Sequence, residues 1–309
     1  MMVLGFDTSN YTTSVAVFDG IRGHNVSQLL DVEQGSLGLR QSDALFAHVK
    51  RLPELTDRLF SDIGTQSISA IGVSTRPRAV EGSYMPCFLA GESQARVLGS
   101  TLGIPVYPFS HQQMHVAASL YSAGAMELMD VPHLAWHLSG GTTELLYVTP
   151  EVRSVHCERI GGTTDISAGQ LIDRTGKLLD LPFPSGRHID AMSLQAKEKE
   201  TFRVKVSDMS FSLSGVQNKV EQFHQKNDPT ETAAYALRCV IGAIVKATQN
   251  ALLKYPGCKV VFAGGVSSNS LLRKSCHRIP AIFCEPEFSR DNALGTAILA
   301  WRQHHESDL

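Results

Sequence analysis

Two stretches 130 positions apart carry the same turn between apolar strands, and that repetition constrains the fold more than any other feature. The first is Val3-Leu-Gly-Phe-Asp-Thr-Ser-Asn-Tyr-Thr-Thr-Ser-Val-Ala-Val-Phe18; the second is Pro132-His-Leu-Ala-Trp-His-Leu-Ser-Gly-Gly-Thr-Thr-Glu-Leu-Leu-Tyr-Val148. Ser9, Thr12 and Thr13 fall opposite Ser139, Thr142 and Thr143. Gly140 and Gly141 allow positive φ and let a ligand approach the backbone closely. Successive amides and hydroxyls in such a turn form a concavity that accepts phosphate oxygens. One Ser-x-x-Thr-Thr hairpin is ordinarily a mere turn. Two, each flanked by core strands, predict a duplicated domain with the turns facing one cleft.

A chain of 309 residues holds two domains of ordinary size, and the expected division is 1–125 and 126–309, at the turn around Ser122–Asp130. The first half reads βββαβα: the hairpin, a strand near 24–32, a helix capped by Ser42, a strand at 71–74, a helix over 88–102 ending at Gly103, and a strand at 104–108. Leu45, Phe46, Val49 and Leu52 give the first helix its apolar spacing, and Pro53 opens its continuation or kinks it. The second half restarts at Leu134, with helices expected over 165–179, 188–196, 229–254 and after Gly264-Gly265. A charged segment at 197–207 is expected to be solvated. The class is α/β.

Composition narrows the function classes. A net charge of −2 and a pI of 6.6 give no bulk pull towards nucleic acid, so any RNA contact needs a local basic patch. The six cysteines form no C-x-x-C pair, which argues against a zinc knuckle or a disulfide framework. No signal peptide and no long apolar run are evident, and a cytoplasmic protein without membrane contact is expected.

His111-x-x-x-His115, Ser139-Gly-Gly-Thr142, Pro184-Ser-Gly186, Phe211-Ser-Leu-Ser-Gly215, Gly264-Gly-Val-Ser-Ser-Asn269 and Asp291-Asn292 follow the first hairpin in order. In that order and spacing the chain resembles the TsaD family, the tRNA threonylcarbamoyladenosine transferases once called O-sialoglycoprotein endopeptidases. The resemblance spans nearly the whole chain. It implies the two-lobed actin/sugar kinase/Hsp70-like fold, and an acyl transfer in which an adenosine amine of tRNA attacks threonylcarbamoyl-AMP and AMP leaves. TsaB-like and TsaE-like subunits are the partners it implies.

His111 and His115 stand at i and i+4, so on a helix both imidazoles project from one face. Asp291 completes a two-His-one-carboxylate set with open positions, or simply caps its helix. The resemblance favours the ligand reading: these three match the family's metal ligands, for iron or zinc, and the metal polarises a substrate oxygen. Ser139–Thr142 is a phosphate-binding turn or only a turn. Asp173 and Asp190 are surface charges or acceptors for ribose hydroxyls, and Asn269 is a cap or a ligand. By resemblance Leu138, Ser139, Gly140, Gly141, Thr142, Asp173, Gly186, Asp190 and Asn269 match the family's adenylate-binding positions, for AMP, ATP or threonylcarbamoyl-AMP.

The departures lie at ionisable positions. The family's Glu-Thr-Ser-Cys-Asp-Glu-Thr is here Asp7-Thr8-Ser9-Asn10-Tyr11-Thr12-Thr13. Its His-x-Glu-Gly-His is His111-Gln112-Gln113-Met114-His115, and Gln170 stands where it has Glu. Thr12, Gln113 and Gln170 cannot act as bases, so a divergent paralogue with slow or redirected transfer is expected. A metalloprotease is disfavoured because its helix needs His-Glu-x-x-His. A kinase or ATPase of the same fold would show ATP turnover without tRNA. A non-catalytic scaffold is opposed by the three retained ligands.

Overall fold

A computed structural model describes residues 1–9, 11–31, 39–64, 67–285 and 292–305. Contacts divide the chain into two compact units. Unit 1 comprises 1–131, 149–157 and 291–309; unit 2 comprises 132–148 and 158–290. The expected cut between 125 and 126 differs from this grouping at three places, the first being 126–131, which group with unit 1. The tip of a later hairpin joins unit 1, and so does the C-terminal helix, which packs on the first sheet.

Unit 1 is built on a five-stranded sheet of order β3-β2-β1-β4-β5. Its strands are β1 (Met2–Asp7), β2 (Thr12–Phe18), β3 (Gly23–Leu29), β4 (Ile68–Arg76) and β5 (Val106–Ser110). Helices α1 (Gln41–Ile63), α2 (Leu89–Leu102) and α3 (His111–Ser122) follow the expected order, and α9 (Leu294–His305) packs on β1 and β4. The core is Leu4, Phe6, Val15, Val17, Leu52, Leu59, Ile71 and Val73 with their neighbours. Strands β1 and β2 are buried along nearly their whole length, as their unbroken apolar runs require.

Helix α1 corrects the expected inner face. Its buried residues are Ala44, His48, Leu52, Leu55 and Leu59, whereas Phe46 and Val49 are exposed. His48 is drawn inward because its Nδ1 lies 2.8 Å from the Thr13 hydroxyl on β2. The helix starts at Gln41 with Arg40 as N-cap and no side-chain cap, so Ser42 lies inside the first turn. Pro53 is accommodated within one continuous helix.

Unit 2 carries a seven-stranded sheet of order β12-β11-β6-β7-β8-β10-β9. Its strands are β6 (His133–Leu138), β7 (Thr143–Glu151), β8 (Ser154–Thr163), β9 (Val206–Ser207), β10 (Ser210–Phe211), β11 (Val260–Ala263) and β12 (Ala281–Phe283). Its helices are α4 (Ala168–Leu178), α5 (Gly186–Ser193), α6 (Ser214–His224), α7 (Pro229–Lys254) and α8 (Ser270–Ser275). Trp136, fully buried, donates from Nε1 to Thr248 Oγ1 on α7 at 2.9 Å. Helix α7 is long and apolar enough to cross a membrane, contrary to the expected lack of such a run; 56% of that window is buried inside the protein. It behaves as the core helix of unit 2.

The duplication extends to register. β1 pairs antiparallel with β2 from Val3↔Phe18 to Asp7↔Ser14, and β6 pairs with β7 from His133↔Val148 to Leu138↔Thr143. Adding 130 to both members of the first pair yields the first pair of the second hairpin. The run β3-β2-β1-β4-β5 has its counterpart in β8-β7-β6-β11-β12, with β1–β4 and β6–β11 both parallel.

Candidate functional site

On unit 1, the β5–α3 junction presents the two histidines. Ser110 is the N-cap of α3 in a capping box with Gln113: the Gln113 amide donates to Ser110 Oγ at 3.2 Å, and Gln113 Oε1 accepts from the Ser110 amide at 2.9 Å. His111 is therefore the first helical residue and His115 sits one turn on. Their Nε2 atoms are 2.8 Å apart. Two ring nitrogens at that separation can both stand at about 2.0–2.1 Å from one ion, so the pair fits a metal.

Behind His111, its Nδ1 lies 3.5 Å from Asp7 Oδ1. The carboxylate is wholly buried and accepts from Ser9 Oγ at 2.8 Å and from the Ser74 hydroxyl. A carboxylate behind a ligating imidazole fixes its tautomer and raises its basicity. Asp7 was not assigned this role from sequence; the available signal was a carboxylate at the end of an otherwise apolar strand. No group of three His, Cys, Asp or Glu suited to a metal occurs among the described residues, and Asp291 lies outside them. The nearby chain is described: Gly295 of α9 stands so close to the Met114 carbonyl that a Cβ there would lie 2.0 Å from it. Met114 immediately precedes His115, so the start of α9 packs against the helix that carries the pair.

Gln113, one of the expected lost bases, is occupied structurally. Besides its box, its Nε2 donates to the Val155 carbonyl at 2.8 Å and to Ser154 Oγ at 3.2 Å. Gln170 closes a second capping box with Ser167 at the start of α4.

On unit 2, the turn after Leu138 departs from an outward-facing nest. The amides of Gly141 and Thr142 donate to Ser139 Oγ at 3.3 and 3.0 Å. Gly140 and Gly141 are exposed, and no heavy atom lies within 4 Å of where a Cβ would stand on either. Gly169 packs beneath the turn; its Cβ would meet the Ser139 carbonyl at 2.5 Å. Ser167 Oγ and the Ala168 amide bind the Gly140 carbonyl and Thr143 Oγ1 at 2.5 and 2.8 Å, joining α4 to the hairpin. Ser167 and Gly169 were missed, although Ser-x-x-Gln before an apolar run is a legible cap signal.

The carboxylates fall into two local groups. Asp173 Oδ1 accepts from the Ser185 amide at 2.8 Å, which holds the chain entering Gly186 and α5. Burial pushes the Asp173 carboxyl up, against the opposing Ser185 amide. Asp190 meets Asn269, accepting from its Nδ2 at 2.8 Å, and also from the amide and hydroxyl of Ser270. Asn269 caps α8 through Oδ1, which accepts from the amides of Leu271 and Leu272 at 3.0 and 3.1 Å. The structure thus brings Asp190 and Asn269 together, and gives both a part in starting α8.

Asp165 ties the Thr163–Ser167 loop to the Phe211-Ser-Leu-Ser-Gly215 motif. It accepts from the Leu213 amide at 2.8 Å and from the hydroxyls of Ser212 and Ser214. Burial works against the ionised form, but these bonds outweigh it and hold the carboxyl well below the usual range. So committed a carboxylate is a poor base.

The fold is that of the two-lobed actin/sugar kinase/Hsp70-like class. HypF, solved in a phosphate- and nucleotide-bound form, superposes with a TM-score of 0.63 at 13% identity, covering 99% of this chain and 47% of that one. The chain thus spans about half the length of HypF. A ROK family glucokinase from Streptomyces griseus, in complex with glucose and AMPPNP, gives 0.54 at 11% identity and covers 98% of this chain and all of that one. Within this class, residues 31–298 match the TsaD family, tRNA N6-adenosine threonylcarbamoyltransferase, and the chain belongs to that family. Relatives named tRNA N6-adenosine threonylcarbamoyltransferase share 32% identity in Nitrosomonas europaea (96% of this chain, 91% of the relative) and 28% in Carboxydothermus hydrogenoformans (98% and 92%).

Proposed function

We propose that this chain transfers the threonylcarbamoyl group from threonylcarbamoyl-AMP to the exocyclic amine of an adenosine in tRNA, in the cytoplasm. Family membership over residues 31–298 carries the reading. The paired Nε2 atoms of His111 and His115 support it at the level of the site.

His111 and His115 would hold the metal, with Asp291 as third ligand. What supports Asp291 is its place four positions before Gly295, which packs on the Met114 carbonyl. The metal, iron or zinc, would supply Lewis-acid polarisation of a substrate oxygen. The Asp7 carboxylate lies 3.5 Å from the His111 Nδ1, and Nε2 would be the ligand side of the ring. On unit 2, the bare backbone at Gly140, Gly141 and Gly186 admits a phosphate or ribose without side-chain obstruction. Asp173 positions Gly186 through Ser185, and Asp190 positions Asn269, which would face the nucleoside. Family membership is also what supports TsaB-like and TsaE-like subunits as partners.

Incubation with threonylcarbamoyl-AMP and unmodified tRNA, read by mass spectrometry of the digested nucleosides, tests the reading. The expected product is threonylcarbamoyladenosine. ATP turnover without tRNA, and no modified nucleoside, would instead make the chain a kinase or ATPase.

A further inference from the structure

The charged segment 197–207 is exposed at all but Val204 and Val206, as expected, and forms one wall of a groove on unit 2. Glu231, buried at the start of α7, accepts from the amides of Lys197 and Glu198, the former at 2.7 Å. The Phe202 amide lies 3.3 Å from Cys239 Sγ, about two turns further along the same helix. Between segment and helix lies a groove of about 780 Å³. Its lining includes Arg203, Lys205, Arg238 and Lys246 and no acidic side chain. In a chain of net charge −2 that is a marked local excess.

The sequence pattern explains the shape. Along 203–206 the exposed cations Arg203 and Lys205 alternate with the more buried Val204 and Val206, as in an extended strand. On α7, Arg238, Gly242, Lys246 and Gln249 share one helical stripe. Gly242 is exposed in mid-helix, and its missing Cβ would meet nothing within 4 Å. A glycine there weakens the helix, but it leaves the backbone bare on the groove floor. Arg238 donates to the Glu198 carbonyl and its Nη2 lies 3.9 Å from Glu231 Oε2, so the guanidinium is fixed in place at the groove.

We propose that this groove docks the phosphate backbone of RNA. The proposal rests on the transfer reading only in taking tRNA as the polyanion; the cluster of four cations and the bare backbone are local observations. Phosphates would meet Arg203, Lys205 and Lys246 as mobile surface cations and Arg238 as a fixed one, beside the Phe202 ring, over which Lys219 Nζ lies 5.9 Å from the centroid.

Anisotropy of labelled unmodified tRNA, titrated across a KCl series, tests this with wild type, Lys205→Ala/Lys246→Ala and the control Lys50→Ala on unit 1. All three positions are exposed, and circular dichroism verifies folding. We expect the double variant to bind roughly tenfold or more weakly and its log–log salt slope to be shallower by about 2, as for two lost phosphate contacts. Lys50→Ala should match wild type, and in the transfer assay the double variant should raise KM for tRNA while kcat is kept. Equal affinity and slope in wild type and double variant would overturn the groove and leave the transfer reading standing. Wild type that binds tRNA through these lysines yet forms no modified nucleoside would overturn the transfer reading alone. Loss of polyglutamate binding in the double variant, with tRNA binding unchanged, would assign the groove to an acidic peptide and refute the proposal.

Discussion

Gln113 and Gln170 show how a residue that looks like a lost catalyst can be a structural element. Both are third residues of their helices and close capping boxes, a role open to Glu and Gln alike. They differ in surroundings: Gln170 is exposed, whereas Gln113 is buried and donates to the Val155 carbonyl. Gln170→Glu should therefore change stability by no more than about 0.5 kcal/mol. Gln113→Glu places a carboxylate against a carbonyl and should destabilise by about 1–3 kcal/mol. Urea unfolding measures both. Neither variant should accelerate transfer, whereas restoring a true general base would raise it by about 10²–10⁴-fold. Such a gain from Gln113→Glu would return the position to the reaction and contradict its role as a cap.

Among elements, the junction of the 163–167 loop with α6 depends on one carboxylate. Asp165 is held well below its ordinary value by the hydrogen bonds from Ser212, Leu213 and Ser214, which prevail over its burial. Its folded pKa lies under the unfolded one, about 3.9. Its contribution is therefore complete above that value and is lost as pH falls below it. Asp165→Asn should lower the urea midpoint at pH 7, and the gap to wild type should shrink by pH 3. A gap independent of pH would mean that the ionised form is not what the three partners stabilise. Elements of this kind also mark the limit of what was legible in the sequence. The succession of strands and helices in unit 1 could be anticipated because apolar runs and Gly/Pro punctuation are local signals. The inner face of α1 could not, since Phe46 and Val49 are more apolar than His48, and the Thr13 hydroxyl that meets the inward histidine lies on β2. The pairing of His111 with His115 is a spacing signal. Asp7 behind His111, and Asp190 on Asn269, join residues 104 and 79 positions apart, which no local pattern encodes.

At the scale of the whole molecule, one chain carries two versions of the same hairpin-led sheet with matching register, and they have been put to different uses. The unit 1 version ends at Asp7, behind the histidine pair. The unit 2 version ends at the exposed Gly140-Gly141 turn, supported by Gly169. The claim on which the account turns is that the histidine pair holds a metal needed for threonylcarbamoyl transfer to tRNA. Metal content and threonylcarbamoyladenosine formation, measured side by side on wild type and His111→Ala/His115→Ala, test it most directly. Wild type is expected to hold metal and yield modified tRNA, and the folded double variant to lose the metal, with product down by about 100-fold or more. Equal metal and equal product in both proteins would contradict it.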